Sequence, residues 1–207
     1  MPRSERRPTG RDAQREETRQ RVYETALEEF RRSGMAAADV GKIAAEAGVA
    51  RGTFYFHFPT KEHVLAELER QEETRMAGKL SKFLDTGPGL AAVFEEVVRL
   101  MLAMERRVGK PLFRELLALH FSPRRPEALP GSDEPAAYPA ITLVVRAIEH
   151  ARDTGEVYAE ADALQTAGFF MLGLYALLIT SHEQPRPARA ETIANFTATV
   201  LRGVEAR

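Results

Sequence analysis

The chain has 207 residues, 44% of them hydrophobic, 29% charged and 8% aromatic, which places it among ordinary soluble globular proteins able to bury a core unaided. It has no cysteine, which excludes disulfide staples, thiolate zinc sites, iron–sulfur clusters and cysteine nucleophiles. The net charge of -1 hides an asymmetry, because residues 1–61 hold 12 Lys and Arg against 9 Asp and Glu, or +3, leaving -4 for the remainder.

Arg3, Arg6, Arg7 and Arg11 stand among Pro2, Pro8 and Gly10 with no apolar period, so residues 1–12 read as a flexible basic arm. The opening lacks the apolar stretch of a secretory signal, and a cytoplasmic location is expected. From Arg15 onward Val22, Ala26, Leu27 and Phe30 fall at helical spacing, and Gly34 after Arg31 and Arg32 marks the stop. Val40, Ile43, Ala44 and Ala47 predict a short second helix, capped by Asp39 and broken at Gly48. Ala50 to Phe58 leaves room for about two turns before Pro59, and Thr60 is the expected cap of the next helix.

The rest is helical but more apolar, and no strand signal appears. Leu65, Leu68, Met76, Leu80, Phe83 and Leu84 predict a fourth helix, ended by Gly87-Pro88-Gly89. Leu90, Val93, Phe94, Val97, Val98, Met101 and Leu102 give a fifth, and Leu112, Phe113, Leu116, Leu117 and His120 a sixth. Pro123, Pro126, Pro130, Pro135 and Pro139 then predict a loop between Phe121 and Pro139. Ile141, Val144, Val145 and Ile148 make a seventh helix. Pro187, followed by Ile193, Phe196, Val200, Leu201 and Val204, opens the ninth.

The eighth helix, Ala163 to Thr180, is apolar nearly all round. Its length suits a membrane span, but Gln165, Thr166, two glycines and the lack of a second such segment favour burial in a soluble fold. A second subunit is the economical cover, with Gly168, Gly173, Ala167 and Ala176 allowing close approach; packing inside one subunit is the alternative.

The segment Val40 to Lys61 carries the chemistry. Two short amphipathic helices separated by a glycine-containing turn, behind a supporting helix, have the layout of a helix-turn-helix, whose second helix enters the major groove. Phe54 and Phe58 are four apart and are expected to anchor that second helix, leaving Arg51 with Tyr55, and Thr53 with His57, on the opposite side. Arg51 could offer a bidentate fork to guanine, a contact worth roughly 1–3 kcal/mol of base discrimination. Gly52 leaves room for close approach, while Thr53, Tyr55, His57 and Lys61 suit phosphate oxygens.

The run from Thr18 to about Leu68, above all Ile43-Ala44, Ala47-Gly48-Val49 and Arg51-Gly52-Thr53-Phe54-Tyr55-Phe56-His57-Phe58-Pro59-Thr60-Lys61-Glu62, resembles the DNA-binding domain of the tetracycline-repressor (TetR) family. The resemblance implies an all-α fold of nine helices: a three-helix reader over residues 13–61, and a six-helix effector-binding and dimerisation body over residues 62–207. It also implies a homodimer paired through the last two helices on palindromic operator DNA, released by a small-molecule effector; from the residues themselves no cofactor or metal is expected. The DNA-facing set carried over is Arg51, Gly52, Thr53, Tyr55, His57 and Lys61, with Lys42 as a further candidate. The chain departs from the pattern at Ala50, where a serine cap is common and its loss costs roughly 1 kcal/mol, and at Asp39, whose anion caps a helix but repels the DNA backbone.

Phe94, Met101, Met104, Phe113, His120, Phe121, Phe169, Phe170 and Tyr175 are the candidates for lining an effector pocket, and they suit an apolar or aromatic ligand. Nothing supports an enzyme: the five histidines show no metal-ligand spacing, and there is neither a phosphate-cradling glycine loop nor a nucleophile elbow. Two other readings fit an all-helical chain: a protein-interaction module, which predicts no salt-sensitive DNA binding, and a DNA-binding protein without an effector, which predicts no cavity in the body.

Overall fold

The computed structural model describes residues 10–126, 138–181 and 183–206. Among them are nine helices and no strand: α1 (Gly10–Ser33), α2 (Val40–Glu46), α3 (Arg51–His57), α4 (Lys61–Leu84), α5 (Leu90–Val108), α6 (Lys110–His120), α7 (Pro139–Asp153), α8 (Ala163–Thr180) and α9 (Arg186–Val204). Local chemistry sets most of the boundaries. Gly34 (φ 78°), Gly48 (φ 66°) and Gly109 (φ 89°) adopt the left-handed backbone that ends α1, α2 and α5, a conformation closed to most other residues. Asp39 caps α2 by accepting the Gly41 amide at 2.7 Å, as its position predicts. Ala50 and Thr60 precede α3 and α4 with no side-chain cap bond; the Thr60 hydroxyl instead lies 3.0 Å from His63 Nδ1.

One continuous apolar core runs through the described residues. At the N-terminal end Val22, Ala26 and Phe30 of α1, Ile43 of α2, and Phe54 and Phe58 around α3 close on Val64 and Leu65 at the start of α4. Helix α4 then carries the core into the body, where Leu80 joins Phe94 and Val97 of α5 and Phe113 of α6. Phe94 stacks on Phe170 of α8 with ring centroids 4.1 Å apart, and Phe170 stacks in turn toward Phe196 of α9 at 6.0 Å. An ion pair locks the far end: Arg189 of α9 donates to both Glu105 oxygens at 2.8 and 2.9 Å, and both residues are buried.

The structure bears on three expectations, one of which it revises. Helix α1 begins at Gly10, so the last residues assigned to the basic arm are helical; the rest of the arm, residues 1–9, lies outside the described residues. The proline-rich stretch is partly outside them too, at residues 127–137, and Pro139 opens α7. Within the chain α8 is covered on one side alone: Ala167, Phe170, Leu174 and Leu178 face inward, whereas Leu164, Phe169 and Leu172 are exposed. It is long and apolar enough to cross a membrane, but its inner face packs on α7 and α9. Gly173 serves that packing inside the chain, because a Cβ there would lie 2.3 Å from the Phe196 ring, while one on Gly168 would meet nothing within 4 Å.

Candidate DNA-reading face and body cavity

Helix α3 is pinned from below. Phe54 and Phe58 are both fully buried, Phe58 stacks near Tyr23 of α1 with centroids 6.2 Å apart, and the Arg19 guanidinium lies 4.9 Å above the Phe58 ring. Helix α2 is held beside it by Arg21, whose Nε donates to the Ala47 carbonyl at 2.9 Å. With two aromatic anchors on one side, the other side of α3 must face solvent. Gly52, Tyr55 and Phe56 are exposed there, Thr53 is half-buried at its edge, and Arg51 is exposed at the N-terminal end of the helix. The Arg51 guanidinium reaches the Tyr55 hydroxyl at 3.5 Å and lies 5.8 Å from that ring, so the two form one polar unit.

Three members of the sequence-derived set sit differently from expectation. His57 is buried, 5% exposed, rather than in the outer row. At 100° per residue it falls beside Phe54, under α1, and burial together with the charges of Arg15 and Arg19 lowers its pKa, so it is neutral at pH 7. Lys61 is not a free point charge: its ammonium donates to the carbonyls of Met35, Ala36 and Ala38 at 2.6, 3.0 and 3.2 Å and holds the turn between α1 and α2. Lys42 is half-exposed but paired with the buried Glu29 carboxylate at 3.2 Å. The residue missed by the sequence reading is Phe56, 62% exposed, with the Arg15 guanidinium 5.0 Å above its ring. The same helical angle, counted from Phe54, places Phe56 and Gly52 outermost and gives the signal that could have found it.

A carboxylate of α6 ties the reader to the body. Glu115 of α6 accepts the Met35 amide at 3.0 and 3.1 Å, just past the end of α1. Five residues further along α6 comes His120, which lines a cavity of about 300 Å³ in the body. Glu73, His120, Phe121, Tyr138, Ile141, Gly168, Met171, Leu172 and Tyr175 form its walls.

Of the nine expected lining residues His120, Phe121 and Tyr175 are at this cavity. Phe94, Met101, Met104, Phe113 and Phe170 are core, where their rings and thioethers join α5 to α6, α8 and α9, and Phe169 points away on the exposed face of α8. The rings at the cavity meet edge to face, His120 lying 5.3 Å from Tyr138, 5.5 Å from Tyr175 and 4.8 Å from Phe121. His120 Nδ1 is hydrogen-bonded to Glu69, whose second oxygen accepts from Arg125 Nε at 2.9 Å. Burial pushes the Glu69 carboxyl up, but these two partners outweigh it and hold the group below its usual range.

The family model described as "Bacterial regulatory proteins, tetR family" matches residues 22–68. The HTH-type transcriptional regulator AcrR of Shigella flexneri is 31% identical over 106 residues, 49% of this chain and 48% of that protein, so the chain spans about half the length of this relative. The HTH-type transcriptional regulator TtgW of Pseudomonas putida is 35% identical over 107 residues, 51% of this chain and 75% of that protein. In fold the chain is similar to Thermus thermophilus FadR, a TetR-family transcriptional repressor solved in complex with lauroyl-CoA, with a TM-score of 0.71 at 22% identity over 91% of this chain and 96% of that one. With the family model on its reader and TtgW matched over three quarters of its length, the chain belongs to the TetR family of bacterial transcriptional regulators, a non-enzymatic class.

Proposed function

We propose that this regulator is a repressor that binds palindromic operator DNA as a homodimer and is released by a small apolar or aromatic effector held in the body cavity. The observation that carries the reading is α3 itself, where Arg51, Gly52 and Tyr55 are exposed on a helix anchored by two fully buried phenylalanines. Arg51 offers the fork for a guanine edge, and Tyr55 and Thr53 offer hydroxyls to phosphate. The exposed Phe56 ring is suited to a thymine methyl.

The exposed Leu164, Phe169 and Leu172 of α8 support a dimer through the last two helices, since such an apolar stripe gains from a partner's matching stripe across a two-fold axis. Two subunits would then set two α3 helices into successive major grooves. The cavity favours a sensor over an effector-free DNA-binding protein: at about 300 Å³ it accommodates a small organic molecule and is walled mainly by apolar and aromatic groups. Effector binding lowers operator affinity to the extent that the ligand prefers the dimer state with the wrong half-site separation.

The test is fluorescence anisotropy of the purified protein on its own promoter fragment at several salt concentrations. Changing Arg51 and Tyr55 together to alanine is expected to weaken binding at least tenfold without altering the circular dichroism spectrum. An unchanged affinity, or binding indifferent to salt, would remove the basis for DNA reading by α3 and favour a protein-interaction module.

A further inference from the structure

Of the five glutamates of α4, the four beyond its first turn, Glu67, Glu69, Glu72 and Glu73, differ in their partners. Glu67 accepts from Arg19 at 3.0 Å, Arg70 at 2.7 Å and Gln71 at 2.8 Å. Glu72 is bound by Arg107, and Glu69 takes His120 and Arg125. Glu73 has no ion-pair partner within salt-bridge distance among the described residues. Its one hydrogen bond among the described residues is a long one, from the Ala140 amide in the first turn of α7 at 3.4 Å.

This unpaired carboxyl stands in the wall of the body cavity, with Tyr138, Tyr175, His120 and Phe121 as fellow wall residues. The basic groups nearby are already committed: Arg125 holds Glu69 and also lies 4.9 Å from the Tyr138 ring, and the His120 ring is bonded to the other Glu69 oxygen. Glu69, Arg125 and His120 are engaged with one another, so none of them hydrogen-bonds Glu73, whose carboxyl lines the cavity without a paired cation among the described residues. Burial, with the Glu69 charge adding to it and the Ala140 amide, His120 and Arg125 opposing it, pushes the Glu73 carboxyl up to about 6, and Tyr175 is raised by its own burial and by the charge of Glu73. A carboxylate with no cation of its own, beside several aromatic rings in a mostly apolar cavity, is complementary to a positive charge on an apolar body, which the rings attract through their faces and the carboxylate through its charge.

We infer that the cavity binds an organic cation: a molecule of a size suited to about 300 Å³, with an aromatic or aliphatic portion among Ile141, Met171 and Leu172 and a protonated amine or quaternary nitrogen directed at Glu73. The inference rests on the effector reading above and narrows its ligand class. It also implies that an anionic head group is rejected at this wall.

Calorimetric titration of the full chain with benzyltrimethylammonium and with neopentylbenzene, its neutral carbon isostere, separates charge from shape. A permanently charged probe keeps ligand protonation out of the result. The wild-type protein is expected to bind the cation at least tenfold more tightly than the isostere. Glu73→Gln keeps an acceptor for the Ala140 amide, so it is expected to lose at least tenfold in cation affinity while binding the isostere as before. An isostere that binds the wild type as tightly as the cation overturns the inference, as does a Glu73→Gln protein that keeps its cation affinity. If the isostere alone binds and releases operator DNA, the effector reading stands and the cationic class fails. If neither probe binds, both fall.

Discussion

Replacing Glu115 by alanine removes a side chain through which α6 grips the turn after α1. Both Glu115 oxygens lie on the Met35 amide, at 3.0 and 3.1 Å, which amounts to one charge-assisted hydrogen bond at a half-buried site. Such bonds contribute about 1.5–3 kcal/mol, of which water returns part when the turn is reachable from solvent, so about 1–2 kcal/mol is the expected net loss. In a chain of 207 residues that lowers the melting temperature by a few degrees. Locally the effect is larger: the Met35 amide has no other acceptor among the described residues, so its hydrogen exchange is expected to accelerate by about 10- to 100-fold, while amides in α5 follow the global change alone. Glu115→Gln, which keeps an acceptor without the charge, should fall between the two. Amide-resolved hydrogen exchange by NMR, with thermal unfolding of the same samples, measures both quantities. Met35 exchange within threefold of the wild type in Glu115→Ala would refute the claim that this carboxylate fixes the turn.

The Arg189–Glu105 pair makes a different prediction, because removing one partner strands a buried charge. Arg189→Met alone is expected to cost about 3–5 kcal/mol in urea unfolding, whereas Arg189→Met with Glu105→Leu should return to within about 1 kcal/mol of the wild type; a single variant losing less than 1 kcal/mol would show that the pair is not desolvated. His57 gives a pH dependence with a definite sign. Its folded pKa lies below the ordinary 6.5, so neutral His57 contributes stability that is present above pH 6.5 and is lost as pH falls through the folded value. The stability difference between the wild type and His57→Gln should therefore shrink on acidification below pH 6.5, and an NMR titration of the His57 ring with a midpoint at or above 6.5 would contradict its burial.

Much of this regulator could be read from the order of its residues, because the decisive signals are local. Periodic apolar positions over three to four residues, glycines at helix ends, the Asp39 cap and the four-residue spacing of Phe54 and Phe58 act within one or two turns of chain, and they fixed the nine helices and the anchored side of α3. Phe56 was within reach of the same counting, but the burial of His57 was not: Arg51 lies the same angle of about 60° from Phe54 and is exposed, so packing around α3 decided which of the two is covered. Other features depend on partners far away in the chain. Glu115 meets an amide 80 positions earlier, Lys61 meets carbonyls 23 to 26 positions earlier, and Glu69 meets Arg125 across 56. Nothing local distinguishes Glu73 from Glu67 or Glu72 on the same helix. Which carboxylate finds an arginine and which is left facing a cavity is settled by how α1, α5, α6 and α7 pack around α4, and the same packing sends Phe94 and Phe170 into the core and Phe169 to the surface. Sequence determined the helices and the reading head of this protein, since backbone and side-chain preferences act over a turn; tertiary packing alone decided the cavity and its unpaired charge, since long-range contacts choose the neighbours of each side chain.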